Sequence, residues 1–351
     1  MSARHALVTG GAGFVGTNLV SKLVEDGIDV VVLDNLSRPG VRRNLNWLQS
    51  TYGRHLRVDV GDVRDRQTLR RALAGVSEIY HLAAQVAVTT SLDDPVDDFA
   101  VNAQGTLNLL EEARLLSEPP FLLFTSTNKV YGSLPDLELE RNGPRWEPAD
   151  PAIRERGLNE ARPLDFCTPY GCSKGAADQY VLDYAKSYGI PSVVFRMSCI
   201  YGPHQHGTED QGWVAHFAIR ALERRPITLY GDGAQVRDIL FVEDLVEAMQ
   251  LAREQRRRLA GGAFNMGGGP DNAVSLLEVV ERLARLGSPT EVAYASERPG
   301  DQRYYVADTS RFEEATGWTP QVEADEGIER LYRWLADEQV PRRERPRAVA
   351  L

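Results

Sequence analysis

The sequence predicts an α/β protein built on a doubly wound parallel sheet of the Rossmann type, with a smaller C-terminal α/β lobe. Three observations lead to this prediction. Apolar runs alternate with segments of helical periodicity through the first half of the chain, a glycine-rich turn follows the first run, and the pattern changes after residue 198. Such alternation is typical of strand–helix–strand units wound around one parallel sheet.

The apolar runs are rich in valine, isoleucine and leucine, as in DVVVLD (29–34) and FLLFTST (121–127). Runs of this kind indicate strands buried on both faces, which is the environment of a parallel sheet covered by helices. The predicted strands are 5–10, 29–34, 56–62, 78–84, 121–127 and 192–198. The spacing of apolar residues predicts helices over 14–27, 95–116 and 170–188.

Two lobes and a tail are expected. Residues 1–198 and 235–262 form the Rossmann domain, residues 199–234 and 263–340 form the smaller lobe, and residues 341–351 form a tail without apolar periodicity. Short strands flanking the Gly-Asp-Gly turn at 231–233 are expected in the second half.

Composition narrows the class of protein. Of the 351 residues, 42% are hydrophobic and 26% are charged, as in an ordinary soluble enzyme. The net charge of -10 argues against non-specific nucleic-acid binding, because phosphate neutralisation needs an excess of Lys and Arg. No apolar stretch approaches the ~20 residues of a membrane helix, and no signal peptide is visible. Cys167, Cys172 and Cys199 form no CxxC pair, so we expect reduced thiols and a cytoplasmic location.

The glycine-rich turn reads TGGAGFVG and places Gly10, Gly13 and Gly16 between a strand and a helix. Small residues there let the backbone approach a pyrophosphate at the helix N-terminus. Asp34 ends the second strand, where a carboxylate accepts hydrogen bonds from adenosine ribose and repels a 2′-phosphate, so NAD is favoured over NADP. The alternative is a structural turn followed by a helix-capping Asp. Asp62 and Val63 are expected beside the adenine, unless Asp62 only caps the next helix.

A candidate catalytic pair lies on the helix predicted over 170–188. Tyr170 and Lys174 stand one turn apart on one face. An ammonium and an oxidised nicotinamide both stabilise a phenolate, which would bring the tyrosine pKa towards neutrality, where a general base works best. Thr127, at a strand end, is expected to hold the same substrate hydroxyl. The alternative is an exposed i, i+4 pair without chemistry.

With these elements on one chain, the sequence resembles the extended short-chain dehydrogenase/reductase family, which acts mostly on nucleotide-activated sugars. The likeness extends to about residue 336 and includes HLAAQVAV, VNAQGTLNLLEEA, GDGAQVRDILFVEDL and RPGDQRYYVADTS. It implies that Arg237 and Arg298 hold the nucleotide diphosphate. The further cofactor residues that it implies are Phe14, Val15, Asn35, Ser37, Leu82, Ala83, Ala84, Asn102 and Ser126. The further substrate residues are Gln85, Asn128, Cys199, His204, Gln205, Gln211, Trp213 and Asp301.

The residues directly after Thr127 limit which of the family's reactions the chain is expected to catalyse. Sugar 4,6-dehydratases of the family carry Asp-Glu there, whereas this chain has Asn128 and Lys129; the 4-epimerases carry a lysine after their HxAG segment, whereas this chain has Val86. Longer strings such as STNKVYG and DQGWV resemble the branch that epimerises CDP-hexoses at C2. The resemblance implies NAD-dependent epimerisation of a sugar of the CDP-paratose, CDP-tyvelose or CDP-glucose type through a 2-keto intermediate. Lys129 is either a site residue or a structural ion-pair partner.

One stretch departs from that branch. YGPHQHGTEDQGW has His204 and His206 where Arg and Phe are usual, and a histidine can add an acid–base group that titrates near neutral pH. A 4-epimerase, or a modified dehydratase using His204 or His206, therefore stays open, as does a non-catalytic NAD sensor. We predict no metal site, since H-x-H with Glu209 lacks a third His or Cys ligand nearby. A homodimer or homotetramer through helices 95–116 and 170–188 is implied by the resemblance.

Overall fold

The structure, a computed structural model, describes residues 5–339. The strands are β1 (His5–Thr9), β2 (Asp29–Asp34), β3 (Leu56–Val60), β4 (Glu78–His81), β5 (Phe121–Thr127), β6 (Leu139–Asn142), β7 (Arg145–Pro148), β8 (Ser192–Met197), β9 (Cys199–Tyr201), β10 (Ile227–Tyr230), β11 (Val236–Phe241), β12 (Gly262–Met266), β13 (Ala273–Ser275), β14 (Val292–Ala295) and β15 (Tyr304–Tyr305). The helices are α1 (Phe14–Glu25), α2 (Val41–Tyr52), α3 (Arg66–Ala72), α4 (Val88–Asp93), α5 (Pro95–Phe99), α6 (Gly105–Ala113), α7 (Pro151–Arg156), α8 (Thr168–Tyr188), α9 (Trp213–Leu222), α10 (Val242–Glu254), α11 (Arg256–Leu259), α12 (Leu276–Arg285), α13 (Ser310–Thr316) and α14 (Ala324–Gln339). The predicted tail over 341–351 lies outside the described residues.

Seven of the described strands form the central sheet, in the order β12-β8-β5-β4-β1-β2-β3, and all neighbours are parallel. The predicted fold class is confirmed, and all six predicted strands lie in this sheet. Four of them end earlier than predicted: β1 stops at Thr9 and β8 at Met197, one residue early, while β3 stops at Val60 and β4 at His81. The residues beyond leave the sheet at its carboxyl edge, which is where ligands bind in folds of this type.

Apolar side chains cover both faces of the central sheet. Leu7 and Val8, successive residues of β1, belong to opposite clusters because side chains alternate along a strand. Helices α1, α2 and α10 pack on one face, and α3, α6 and α8 on the other. Both side chains are fully buried, and each such burial contributes roughly 2 kcal/mol. This packing fixes the strand ends that carry the site.

The smaller lobe contains its own sheets. Strand β11 pairs with β9, β13 and β15, β10 pairs with β14, and α9, α12 and α14 pack around them. The division into lobes stays a prediction. Two strands, however, pair in the sheet of the lobe to which the sequence did not assign them. Strand β11 belongs to the smaller sheet, and β12 hydrogen-bonds to β8 in the central one. An apolar run does not say which sheet it will join.

None of the helices within residues 5–339 is long and apolar enough to cross a membrane.

Candidate active site

A cleft of about 710 Å³ opens at the carboxyl edge of the central sheet. The predicted cofactor residues that line it are Gly10, Gly13, Phe14, Val15, Gly16, Asp34, Asn35, Ser37, Asp62, Val63, Leu82, Ala83, Ala84, Ser126, Tyr170 and Lys174. The predicted substrate residues that line it are Gln85, Thr127, His204, Gln205 and Gln211. The structure thus brings most of the predicted residues to one cavity, while their individual binding roles stay predictions.

The glycine turn that joins β1 to α1 is tightly packed. Gly10 has a φ of +67°, and a Cβ at that position would lie 2.8 Å from the Ala83 backbone nitrogen. A Cβ on Gly16 would lie 2.3 Å from the carbonyl oxygen of Gly10. No side chain of the described residues caps the first turn of α1, whose N-cap residue is Gly13. The N-terminus of this 12-residue helix therefore offers its backbone N–H groups to an anion in the cleft.

Asp34 is fixed at the end of β2 by the turn itself. Its carboxylate accepts hydrogen bonds from the backbone N–H groups of Ala12 (3.1 Å) and Leu36 (2.8 Å). Burial raises the pKa of Asp34, although these hydrogen bonds oppose the shift. The acceptor oxygens keep their place whether or not a ligand is present.

The far end of the cleft carries a second carboxylate. Asp62 accepts hydrogen bonds from the Arg64 side chain and from Asn35 Nδ2 at 3.0 Å. The hydrogen bond from Arg64 lowers the pKa of Asp62 to about 2. Asp62 therefore stays ionised but is already paired, and the cap of α3 is supplied instead by Asp65. The alternative of Asp62 as a cap for this helix is wrong.

Tyr170 lies at the first turn of α8 and is only 8% exposed. Burial raises its pKa to about 12; a hydrogen bond with the Thr127 side chain and the charge of Arg38 act in the opposite direction. The phenol pKa is therefore above its usual value. We expected the Lys174 ammonium to lower it, but burial dominates, and the positive charge that acts on the phenol is that of Arg38.

Lys174 is turned towards the sheet. Its Nζ donates a 2.5 Å hydrogen bond to the carbonyl oxygen of Thr125 and lies 4.1 Å from the centroid of the Phe124 ring. Burial lowers the pKa of Lys174 to about 7. An ammonium this poorly solvated can give up or share its proton at neutral pH.

Two buried polar atoms face the cleft without a partner. The Ser126 side chain is 2% exposed and that of Gln205 is 3% exposed. Neither Ser126 Oγ nor Gln205 Oε1 finds a hydrogen-bond partner within the part of the chain that the structure describes. A buried polar group left unsatisfied costs about 1–3 kcal/mol, so both atoms are suited to receive a ligand's polar groups.

The sequence matches the model of the NAD dependent epimerase/dehydratase family over residues 6–267. The chain belongs to this family. It is 42% identical to the CDP-paratose 2-epimerase of Salmonella typhi, over 94% of this chain and 98% of the relative. Among solved structures, the Thermus thermophilus UDP-glucose 4-epimerase in complex with NAD is 35% identical, with a TM-score of 0.79 over 95% of this chain and 99% of that one. The Thermotoga maritima UDP-glucose 4-epimerase with UDP-glucose is 29% identical, with a TM-score of 0.81 over 95% and 99% of the two chains.

The cofactor of this family, NAD, fits the residues present. The glycine turn leaves no room for a side chain at Gly16, which suits a pyrophosphate against the backbone. The Asp34 carboxylate stands where a ribose hydroxyl can donate, and Ser126 Oγ still lacks a partner among residues 5–339. The glycine turn would hold the diphosphate, Asp34 the adenosine ribose, and Ser126 the nicotinamide portion.

Asn102, which the family resemblance assigned to the cofactor, is not among the residues lining the cleft. Its amide bonds to the backbone N–H and C=O of Gln85 at 2.9 and 3.0 Å, and to Asp98 and Ser173 at 3.1 Å each. Asn102 therefore holds the lining residue Gln85 in place. A position in a motif did not distinguish this supporting role from direct contact.

The other predicted substrate residues form a separate group beside the cleft and do not line it within the described chain: Asn128, Cys199, Trp213, Arg237, Arg298 and Asp301. Arg237 donates to Asp301 at 2.6 Å, and Cys199 Sγ accepts from Trp213 Nε1 at 3.4 Å. Arg298 stacks 3.8 Å from the centroid of the Tyr230 ring and donates to the Glu209 carbonyl oxygen. Arg237 and Arg298 therefore lie in a second region of the protein, beside the cleft.

The two histidines do not have the chemistry that the sequence allowed. The His204 ring packs between Trp47 and Trp334, with centroid distances of 4.3 and 5.2 Å. Burial lowers the pKa of His204 to about 4 and lowers that of His206 as well. For His204, the expectation of titration near neutral pH is wrong, because packing between the two tryptophans shields the ring from water.

Sequence reasoning missed Arg38 and left Lys129 undecided. Arg38 lines the cleft, donates to Gln211 Oε1 at 2.9 Å, and lowers the pKa of Tyr170. Lys129 Nζ donates to the Gly300 carbonyl oxygen at 3.1 Å and lies 3.6 Å from Asp301. A basic residue shortly after Asp34 was the available signal for the first. The role of Lys129 depends on Gly300 and Asp301, which lie far along the chain.

Proposed function

We propose that this protein is an NAD-dependent 2-epimerase of a CDP-hexose of the CDP-paratose and CDP-tyvelose type. The observation that carries the proposal is the 42% identity to the Salmonella typhi CDP-paratose 2-epimerase, because it extends over 94% of this chain and so includes both the cofactor cleft and the region around Arg237. The arrangement of Thr127, Tyr170 and Lys174 supports a redox reaction at a sugar hydroxyl.

NAD, when bound, supplies a hydride acceptor that can return the hydride, which inversion at an unactivated carbinol carbon requires. The protein supplies the proton transfer. Tyr170 takes the proton of the C2 hydroxyl when the sugar is oxidised and gives it back when the ketone is reduced. The Thr127 hydroxyl, hydrogen-bonded to the phenol, is placed to hold the same oxygen.

The protonation state of Tyr170 is controlled by its surroundings. With a pKa of about 12 the phenol by itself is neutral at physiological pH. A positive charge bound in the cleft adds to the effect of Arg38 and lowers this pKa, because an opposite charge nearby favours the phenolate. The base is therefore formed in the loaded enzyme and not before. Lys174, with a pKa of about 7, provides a nearby site to which the proton can pass.

Inversion requires the planar 2-keto sugar to present both faces to one hydride donor. The nucleotide must be held while the sugar turns, and we assign the diphosphate to Arg237 and Arg298, whose guanidinium forks suit phosphate oxygens. Arg237 is 7% exposed, so its charge is poorly screened by water.

The modified dehydratase gains no support from the geometry. His204 is stacked between tryptophans with a lowered pKa, and Asn128 Nδ2 is bonded to Gln302 Oε1 at 3.2 Å. Neither is placed as an acid or base for expelling water.

The test is turnover of CDP-paratose by the purified protein in deuterated water without added NAD. We expect CDP-tyvelose without deuterium at C2, because the hydrogen returns from the cofactor and not from solvent. CDP-glucose and UDP-glucose are the comparison substrates. Conversion of UDP-glucose to UDP-galactose with no reaction of the CDP-sugars would make the protein a 4-epimerase, and an unsaturated or deoxy product would make it a dehydratase.

A second copy of the chain is the proposed partner. Helices α4 and α5 expose Leu92, Val96 and Phe99 at 44%, 77% and 55%, and the neighbouring α8 exposes Tyr180 and Tyr188 at 46% and 50%. Large apolar side chains exposed on neighbouring helices are typical of an interface. Analytical ultracentrifugation should give a dimer or tetramer, and Phe99→Glu should shift the population towards monomer.

A further inference from the structure

Residues 300–302 of the smaller lobe contact the end of the catalytic strand β5. The Gly300 carbonyl oxygen accepts a hydrogen bond from Lys129 Nζ at 3.1 Å. The Asp301 carboxylate lies 3.6 Å from the same Nζ and accepts from Arg237 Nη2 at 2.6 Å. Lys129 follows Thr127 by two residues, so this segment connects the redox end of the site to the cation assigned to the diphosphate.

The next residue strengthens the connection. Gln302 is fully buried, and both ends of its amide are used. Its Oε1 accepts from Asn128 Nδ2 at 3.2 Å, and its Nε2 donates to the Gly132 carbonyl oxygen at 2.6 Å. Asn128 and Lys129 therefore bind consecutive residues of the segment, one through a neutral amide and one through a charge.

The segment also touches the start of the catalytic helix α8. Gly300 has a φ of +70°, and a Cβ there would lie 2.6 Å from Thr168 Cγ2. Thr168 stands two residues before Tyr170 and has a φ of +66°, an uncommon conformation for a β-branched residue. Backbone strain of this kind persists only where the surroundings fix it, and the close approach of Gly300 is one such constraint.

The charges of the group do not cancel. Lys129 and Arg237 share the single carboxylate of Asp301, and the Lys129 and Asp301 side chains are 18% and 34% exposed. Two cations against one anion leave a net positive charge beside the cleft. Asp301 thus orients the guanidinium of Arg237 without neutralising the region.

We propose that Asn128 and Lys129 are positioning residues that hold segment 300–302 against β5 and α8, and so fix Arg237 relative to Thr127 and Tyr170. This role rests on the proposed function, in which the sugar turns over while its diphosphate stays bound. If the two ends of the site shift against each other, the sugar carbon no longer reaches its reactive position on both faces. A misplacement of about 1 Å can cost about 100-fold in rate.

The test compares Lys129→Met with Lys129→Arg, and with Lys22→Met as the control on the exposed face of α1. Lys129→Met is expected to lower kcat on CDP-paratose by about 100-fold, while its KM and the calorimetric Kd for CDP rise less than about 10-fold. Lys129→Arg, which can still reach Gly300 and Asp301, should recover activity to within about 5-fold. Unchanged kcat in Lys129→Met, or a Kd for CDP that accounts for the whole loss, would overturn the proposal.

A double substitution separates this role from direct contact with the sugar. If Lys129 acts through Asp301, the double variant Lys129→Met/Asp301→Asn should have a kcat no lower than that of the slower single variant. If the two residues act independently, the fold losses in kcat of the single variants should multiply in the double variant. Asn128→Asp, which removes the donor to Gln302 in an isosteric side chain, is a second variant expected to lower kcat. Multiplicative losses in the pair would contradict the shared contact.

Hydrogen exchange tests the connection without any substrate. In Lys129→Met, amides of peptides covering 298–303 and 167–171 should exchange faster, while those of β1 and β2 should not change. Wild-type protein that fails to convert any CDP-sugar would remove the proposed function, yet the exchange result would still decide the positioning role. Unchanged exchange in both peptides would remove it.

Discussion

The cofactor cleft and the substrate region beside it, the two halves of the site, are built in different ways. In the cofactor half, Gly10, Gly16 and Asp34 act through backbone shape and through hydrogen bonds within the first strand–helix–strand unit. In the substrate half, Arg237 and Lys129 are arranged by Asp301, a residue of another element. The first half is determined locally and the second by long-range contacts. The difference teaches that family motifs locate a cofactor more reliably than they locate a substrate.

The largest expected effect is at the point where the halves meet. Tyr170→Phe should lower turnover of CDP-paratose by about 1,000-fold or more, because the general base is removed while the ring and its packing stay. The Kd for NAD should change less than about 5-fold. Steady-state kinetics with calorimetry of NAD binding give both numbers, and turnover within about 10-fold of wild type would show that another group is the base.

Within the cofactor half, Gly16→Ala should weaken NAD binding by about 100-fold, since the new Cβ would lie 2.3 Å from the Gly10 carbonyl oxygen and the turn must move. Gly53→Ala is the matched control, because no described atom lies within 4 Å of a Cβ there and its φ of -41° suits alanine. Calorimetry would measure both. Equal Kd values for NAD would mean that the turn does not hold the diphosphate.

On the substrate side, His204→Ala should lower the free energy of unfolding by about 2 kcal/mol through loss of the contacts with Trp47 and Trp334. Because His204 also lines the cleft, any loss of activity should appear in KM and not in the pH profile. Chemical denaturation and a pH series of kcat check these points. A titration step of kcat that disappears in the variant would restore an acid–base role for this ring.

The smallest expected effect on activity is at His81, beneath the cofactor half, where the prediction concerns only the pH dependence of stability. Buried His81 accepts or donates hydrogen bonds with Thr9 Oγ1 (2.7 Å) and Thr106 Oγ1 (2.9 Å), and burial lowers its pKa to about 3. The unfolded chain binds a proton near pH ~6.5 and the folded one does not until near 3, so His81 lowers stability as pH falls through this window. The slope is at most about 1.4 kcal/mol per pH unit. Between pH 4 and 6, His81→Asn should reduce the slope of the unfolding free energy against pH by about that amount. Parallel curves for the variant and the wild type would contradict the assignment.

Much of this architecture could be predicted from the sequence, for a physical reason. A buried strand followed by glycines and a helix has few alternative structures, so the turn at Gly10–Gly16 and the carboxylate of Asp34 follow from short-range patterns. The positions of Asn102 and His204 did not follow. Both belong to recognisable strings, but whether each faces the cleft depends on partners such as Gln85 and Trp334 that only the folded chain brings close.

The assignment of strands failed for the same reason. Strand β11 is buried throughout and was expected in the Rossmann domain, although it pairs with β9 in the smaller sheet. Burial on both faces is common to both locations, so composition could not choose between them. The same holds for Lys129, whose partners Gly300 and Asp301 lie more than 170 residues away.

The hydrogen bond from Arg38 to Gln211 joins the loop after β2 to the loop before α9. Arg38 and Gln211 both line the cleft, so a dinucleotide bound there would leave more slowly while the two loops stay joined. A dehydrogenase would be slowed by such a closure, because it must exchange spent coenzyme at every cycle. An enzyme that regenerates its coenzyme within each catalytic cycle is not slowed. For such an enzyme, the joined loops keep the coenzyme bound from one cycle to the next.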